Sequence, residues 1–290
     1  MVITIYIIKG MVYEPVKVGD NLNMSNKWMN YDFNHNGIND TAYESWVDIN
    51  KNNRQDAFEN PTGDFELMKK MGVNTIRIYH PVNLRKDILS DLYHRFGIRV
   101  AMGNLLGAYC WGSGSGWKRG TDYTNPKQLS NMLESVRNMV LSYRNEPYIL
   151  MWILGNENDV RGSYSNSTFN NTNACIYPVE FAKFVGRVVD LIHSLDPNHP
   201  VGVSNVTTKM LKYYKQYAPN LDFVGFNAYL GAYGFSSLYR TVKFDFDRPV
   251  VITEYGVDSY NQKKRKPDED FQVFYHKKCW RNIIDNSYYG

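Results

Sequence analysis

Three observations predict an α/β chain built as a (β/α)8 TIM barrel. Strand-like and helix-like segments alternate along most of the 290 residues, which is the layout of strand-helix-strand units around a parallel sheet. Two apolar runs, Tyr148 to Leu154 and Pro249 to Thr253, each lead within three residues to a glutamate, Glu157 and Glu254, and parallel barrels present their chemistry at the carboxyl ends of their strands. No shift in composition divides the chain, and its 43% hydrophobic content can bury one sizeable core. A single domain over residues 1–290 is therefore expected.

The elements follow in order. After an apolar start at residues 3–13, Val73 to Tyr79 reads as a strand. Ile88, Leu89, Leu92, Tyr93 and Phe96 mark a helix that stops at Gly97, and Ile98 to Met102 gives the next strand. Asn125 and Pro126 form a cap and first-turn pair, after which Leu129, Met132, Leu133, Val136, Met139, Val140 and Tyr143 keep a helical period. Tyr148 to Leu154 follows as a strand, then a polar loop from Val160 to Tyr177, then a helix carrying Phe181, Phe184, Val188, Leu191, Ile192 and Leu195. Val201 to Ser204, Phe223 to Phe226 and Val250 to Thr253 supply three more strands, with helices near 208–217, 234–242 and 269–285. The pattern yields seven strand-helix units before Gly290. The eighth strand of the barrel is not visible, so it lies beyond this sequence or the barrel is open at that seam.

Composition narrows the function. A formal charge of +4 from 33 basic and 29 acidic residues, interspersed, gives no reason to expect nucleic acid or an anionic membrane as partner. The dense basic run Lys263-Lys264-Arg265-Lys266 reads as a solvated loop. Cys110, Cys175 and Cys279 have neither the number nor the spacing of a disulfide framework or a zinc site. Residues 2–8 lack a charged leader and a cleavage site and read as a strand rather than a signal peptide. No stretch reaches the roughly 20 apolar residues of a membrane span.

Two carboxylates brought to one cleft suggest glycoside hydrolysis, in which one attacks the anomeric carbon and the other protonates the leaving oxygen. Gly155-Asn156-Glu157 and Thr253-Glu254-Tyr255-Gly256 resemble the acid/base and nucleophile signatures of the clan A glycoside hydrolases. Lys9-Gly10-Met11-Val12-Tyr13-Glu14-Pro15, Asn74-Thr75-Ile76-Arg77-Ile78-Tyr79 and Gly225-Phe226-Asn227-Ala228-Tyr229 match in the same order. The resemblance covers about residues 8–285 and is nearest to the family 2 barrel domains and the family 72 β-glucanosyltransferases. It implies Glu157 as acid/base, Glu254 as nucleophile, Asn156 bonded to the sugar 2-hydroxyl, and Arg77 and Tyr229 supporting the nucleophile. Second-tier candidates for substrate binding are His80 after the second strand, Asn104 after the third, and Trp111 and Trp117, which flank a Gly/Ser-rich loop suited to a sugar platform.

A second motif stands apart from the chemistry. Asp32, Asn34, Asn36 and Asp40, with Gly37 at the turn, match the first nine positions of an EF-hand calcium loop. Asp48, Asn50, Asn52, Asp56 and Glu59 repeat the oxygen offsets, with Asn53 where glycine is expected. The first copy has Tyr43 at position 12. The tandem spacing resembles the calcium repeats of dockerins and thrombospondin type 3 segments. At least one structural Ca2+, modest in affinity, is expected in an insertion at about residues 30–60.

The expected activity is that of a retaining β-glycoside hydrolase on a β-linked polysaccharide or oligosaccharide, a β-glucan by the family resemblance, without a cofactor for the chemistry. The alternatives are a β-glucanosyltransferase on the same scaffold and an inactive carbohydrate-binding barrel fragment. The polymeric substrate and calcium loops point to an extracellular or cell-envelope location.

Overall fold

A computed structural model describes residues 6–14, 40–52, 54–82, 84–160, 172–231 and 233–287. The chain packs as two compact units, residues 1–103 with 145–150 and residues 104–144 with 151–290. The described residues hold seven strands that pair in parallel, in chain order, within each unit, the number expected from the sequence. An eighth parallel strand is not present among the described residues.

In the first unit, β1 (Gly10–Val12) pairs with β2 (Thr75–Ile78), and β2 pairs with β3 (Arg99–Asn104), all parallel. Between β1 and β2 lie two short helices, α1 (Asp40–Glu44) and α2 (Asp64–Met71), which the hydrophobic period did not reveal. Their reason is tertiary. Phe65 of α2 is fully buried, with its ring 5.9 Å from that of Tyr13, 5.5 Å from Tyr43 and 5.6 Å from Phe96. Burying such a side chain contributes on the order of 2–3 kcal/mol, enough to fix a helix of two turns. Phe96 ends α3 (Lys86–Phe96), whose apolar face of Ile88, Leu89 and Leu92 is buried.

In the second unit, α4 (Pro126–Tyr143) starts as the sequence predicts, with the Asn125 side chain accepting from the backbone N–H groups of Lys127 and Gln128. It leads to β4 (Ile149–Leu154), then α5 (Pro178–Leu195), β5 (Val201–Asn205), a 3-10 turn (Thr208–Met210) running into α6 (Leu211–Tyr217), β6 (Phe223–Asn227), α7 (Phe235–Asp245) and β7 (Val250–Glu254). Strands β4 to β7 pair in parallel, each with the next. The core is aromatic and aliphatic. Trp152 is fully buried and satisfies its one polar atom by donating Nε1–H to Asp196 Oδ2 at 2.9 Å.

After β7 the basic run does not form a simple loop. Tyr260–Asn261 (β8) and Lys266–Pro267 (β9) pair antiparallel, with Lys263 to Arg265 at the tip. Asn261 Oδ1 accepts from the Lys263 and Lys264 N–H groups, and Lys264 Nζ reaches Asp268 Oδ2 at 2.8 Å. Asp268 in turn caps α8 (Glu269–Asn286) by accepting from the Phe271 N–H. This local side-chain closure carries no hydrophobic signature, so the apolar pattern does not report it.

Helices α5 and α6 approach closely at Gly186, where a Cβ would lie 2.2 Å from the Tyr217 carbonyl oxygen. Backbone cannot yield as a side chain does. Gly186→Ala is expected to destabilise by about 1–3 kcal/mol through overpacking, read as a lower urea midpoint. An unchanged midpoint would show that the helices do not meet this tightly.

Candidate active site

The four polar residues that end the apolar run of β4 point in different directions. Gly155 makes the turn with φ 69°, and a Cβ there would meet Asn158 Oδ1 at 2.7 Å, so the chain needs glycine. Glu157 itself has φ 57°, a left-handed conformation that costs a non-glycine residue about 1 kcal/mol or more and persists only when its surroundings fix it. They do. The Gly155 N–H donates to the Asn104 carbonyl at 2.7 Å, the Asn156 N–H to Asn158 Oδ1 at 2.7 Å, and the Glu157 N–H to the Ser204 carbonyl at 3.2 Å.

Asn158, 1% exposed, donates Nδ2 to the Leu106 carbonyl at 3.0 Å and to Tyr123 Oη at 2.8 Å. It ties the turn after β4 to the loop after β3. Asp159 ties it to the loop after β5, accepting from the Val206 N–H at 2.9 Å, the Thr207 N–H at 2.8 Å and the Thr207 hydroxyl at 2.9 Å. Burial pushes the Asp159 carboxyl pKa up, and these donors oppose it.

Strand β7 brings Glu254 in by an irregularity. Pairing with β6 runs Gly225 to Val251 and Phe226 to Ile252, then jumps to Asn227 opposite Glu254. This extra residue lets two successive side chains of β7 reach one side chain of β6, which a regular strand alternates away from. Thr253 Oγ1 donates to Asn227 Oδ1 at 2.8 Å, and Ser204 Oγ does so at 2.9 Å. Asn227 Nδ2 donates to Glu254 Oε1 at 2.8 Å, to Glu157 Oε1 at 2.9 Å and to Asn156 Oδ1 at 2.9 Å. Two hydroxyls on its oxygen and carboxylates beside its nitrogen fix which way this amide faces.

Because Glu157 Oε1 and Glu254 Oε1 both lie within 2.9 Å of a single nitrogen, the sum of the two lengths is a ceiling on the distance between these facing oxygens. That ceiling is compatible with the roughly 5–5.5 Å carboxyl spacing of retaining glycosidases. Tyr229 Oη donates to Glu254 Oε2 at 3.0 Å. Glu157, Glu254, Asn156 and Tyr229 thus meet around Asn227, which sits in a motif quoted from the sequence but was given no role there. Tyr109, which interacts with Asn156, Glu157 and Glu254, was missed altogether; it follows a strand end, and no pattern marks it.

The other predicted residues are placed as follows. Asn104, 1% exposed, braces its own loop, with Nδ2 on Ser135 Oγ at 3.1 Å and Oδ1 accepting from the Leu106 N–H at 3.1 Å. Trp111 and Trp117 are each 46% exposed on the loop after β3. Arg77 and His80 belong to the first unit. Arg77 is buried, with its guanidinium 4.6 Å from the centre of the Tyr79 ring, and the nearby Glu14 carboxyl accepts from the Tyr79 N–H at 2.6 Å. Burial lowers the His80 pKa to about 4.

In the predicted calcium repeats, Asp32, Asn34 and Asn36 and the Asp40 side chain lie outside the described residues. The second copy is wound as a loop. Asn52 N–H donates to Asp48 Oδ1 at 3.1 Å and Asn50 Oδ1 at 3.2 Å, and Glu59 accepts from the Ile49 N–H at 2.6 Å and the Asp56 N–H at 2.9 Å. Asn50 and Asn52 turn their Nδ2 toward Asp56 Oδ2, at 2.6 and 2.7 Å. Among the described residues no three His, Cys, Asp or Glu side chains converge as a metal site, so a cation here needs amide oxygens from Asn50 and Asn52, turned from their present orientation. The oxygen-only donor set suits a hard cation.

Two outcomes follow from these contacts. Asn158→Ala removes the acceptor of the buried Asn156 N–H and the donor to Tyr123 Oη, so unfolding free energy should fall by about 2–3 kcal/mol; a loss below roughly 0.5 kcal/mol in urea titration would remove Asn158 as a brace. His80 stays neutral when folded, whereas the unfolded chain takes up its proton below about pH 6.5. Its contribution is therefore intact above pH 6.5 and lost as pH falls toward 4, by at most about 3 kcal/mol. His80→Gln should flatten the pH dependence of stability in that window, and an unchanged slope would show that the imidazole is not shielded.

Known proteins place the chain. No curated protein sequence matches it. Among solved structures, β-D-glucuronidase of Dictyoglomus thermophilum is 20% identical at a TM-score of 0.54, over 77% of this chain and 37% of that one. A β-galacturonidase of Eisenbergiella tayi bound to galacturonate is 22% identical at 0.52, over 75% and 36%. A calcium binding mutant of Bacteroides uniformis β-glucuronidase 2 is 20% identical at 0.55, over 78% and 26%. This chain spans about a third or less of the length of these proteins, and the likeness to them is one of fold. The family model for the glycosyl hydrolases family 2, TIM barrel domain, matches residues 52–286, and the chain belongs to that family.

Proposed function

We propose that this chain is a retaining β-glycoside hydrolase acting by double displacement on a β-linked oligosaccharide or polysaccharide. The observation that carries the reading is the Asn227 amide within 2.9 Å of both carboxylates, which brings the two acids to one point as a glycosidase pair requires. Glu254 attacks the anomeric carbon while Glu157 gives its proton to the departing oxygen. Glu157 then takes a proton from the incoming water, which displaces Glu254 and restores the starting configuration. Tyr229 and Asn227 hold Glu254 in line, and Asn156 takes the sugar 2-hydroxyl, an interaction that strengthens in the oxocarbenium-like transition state. Asn104, Trp111 and Trp117 belong to the second tier of the substrate site.

A β-glucan is the substrate suggested by the likeness of the motifs to family 72. A terminal β-uronide is the second reading, favoured by the names of the structural relatives. Transfer to a sugar hydroxyl in place of water uses the same intermediate. The extracellular or cell-envelope location rests on a polymeric substrate. A structural calcium ion in the loop of Asp48, Asn50, Asn52, Asp56 and Glu59 completes the proposal, and it has no part in the bond chemistry.

Glu254→Gln should lower turnover of an aryl β-glycoside by roughly 10⁴-fold or more. It should also abolish covalent labelling by cyclophellitol aziridine and its 6-carboxylate, the pair distinguishing neutral sugar from uronide. Glu157→Gln should slow hydrolysis of alkyl glycosides by about 10²–10⁴-fold while sparing the first step on substrates with good leaving groups. Near-normal turnover in Glu254→Gln would end the assignment. Calorimetry should show calcium uptake between micromolar and millimolar concentrations that Asp48→Ala removes; no heat at millimolar calcium would eliminate the ion.

A further inference from the structure

The two half-reactions of a double displacement carry one negative charge back and forth between two carboxyl groups. In the first, Glu254 gives an electron pair to the anomeric carbon, the bond to the leaving oxygen breaks with its pair on that oxygen, and Glu157 supplies the proton. The charge has then left Glu254 and stands on Glu157. In the second, water gives a proton to Glu157 as its oxygen bonds to the anomeric carbon, and the bond to Glu254 breaks with its pair on the carboxylate. The charge returns. Donors fixed on one carboxylate alone would leave the other unsupported for half of the cycle.

Asn227 is placed to serve both. Its Nδ2 lies 2.8 Å from Glu254 Oε1, 2.9 Å from Glu157 Oε1 and 2.9 Å from Asn156 Oδ1, three acceptors for two protons. Asn156 Oδ1 is neutral and makes the same demand throughout, whereas the two glutamate oxygens compete and the charged one is the stronger acceptor. The amide is kept from turning over. Ser204 Oγ and Thr253 Oγ1 donate to its Oδ1 at 2.9 and 2.8 Å, and all three side chains are buried; a flipped amide would set its oxygen against the carboxylates. We infer that Asn227 is a positioning residue for both half-reactions, with one N–H shared between the two glutamate oxygens and strengthening toward whichever carries the charge. The near-equal lengths let that emphasis shift without movement of the amide. The inference deepens the proposed function and rests on the double displacement assigned there.

The test compares Asn227→Ala and Asn227→Ser with the unaltered chain on a 2,4-dinitrophenyl 2-deoxy-2-fluoro-β-glycoside of glucose or glucuronic acid, whichever sugar's aryl glycoside turns over faster. Its leaving group needs no acid, so the rate of inactivation reports attack by Glu254, and the later recovery of activity reports attack of water with Glu157 as base. Both rate constants should fall, each by about tenfold or more and within about threefold of one another. Because the lost N–H favours the charged form of either carboxyl, both limbs of the pH dependence of kcat/KM on the methyl glycoside should move to higher pH. Lost packing alone would not move them. Asn227→Ser leaves a hydroxyl for Ser204 and Thr253 to bond, so it carries the same test where Asn227→Ala does not fold. A loss confined to one step, or a pH profile left in place, would overturn the shared donor while the double displacement stands. If intact mass shows no glycosyl adduct on the unaltered chain, the double displacement itself fails and takes the inference with it.

Discussion

Asn227 Nδ2 carries two protons and faces three acceptors, Asn156 Oδ1, Glu157 Oε1 and Glu254 Oε1. That crowding sets the geometry of the site. Glu157 comes from the turn after β4 and Glu254 from the end of β7, far apart in the chain. A single amide on the strand beside β7 joins them, and its orientation is fixed from behind by Ser204 and Thr253. The irregular pairing of β6 with β7 is what brings Thr253 and Glu254 to the same amide. A site assembled on strand ends in this way gains precision from the sheet beneath it.

The surrounding polar residues serve the same arrangement. Glu157 sits in a left-handed conformation that an isolated chain would avoid, and Asn158 and Asp159 hold the turn against neighbouring loops on either side. Each is buried and hydrogen-bonded, so each rigidifies the turn rather than leaving an unpaired group in the core. The loop after β3 repeats the device, with several left-handed residues tied down by Thr121, Tyr123 and Asn158. Strain near the carboxylates is sustained by contacts outside them.

Much of this was legible in the sequence, for physical reasons. Buried parallel strands read as apolar runs, so β2 to β7 were visible, and Glu157 and Glu254 stood out because each follows such a run. The Asn125-Pro126 start of α4 was visible because capping is local. What escaped depends on partners distant in the chain. Helices α1 and α2 are short and owe their place to the cluster around Phe65, the β8–β9 hairpin closes through Asn261 and Asp268, and Tyr109 gains meaning only beside Asn156. Asn227 was in plain view as a residue, yet a bridging amide has no spacing rule to announce it.

The anomeric configuration of the first product is the most direct test of the claim that Asn227 holds Glu157 and Glu254 at the spacing of a double displacement. Proton NMR of an aryl β-glycoside digest, followed from the first minutes, should show the β-hemiacetal appearing first and the α-anomer only later, as mutarotation proceeds. The α-hemiacetal appearing first would mean a single displacement with a water between the carboxylates, and would contradict the geometry on which the assignment rests.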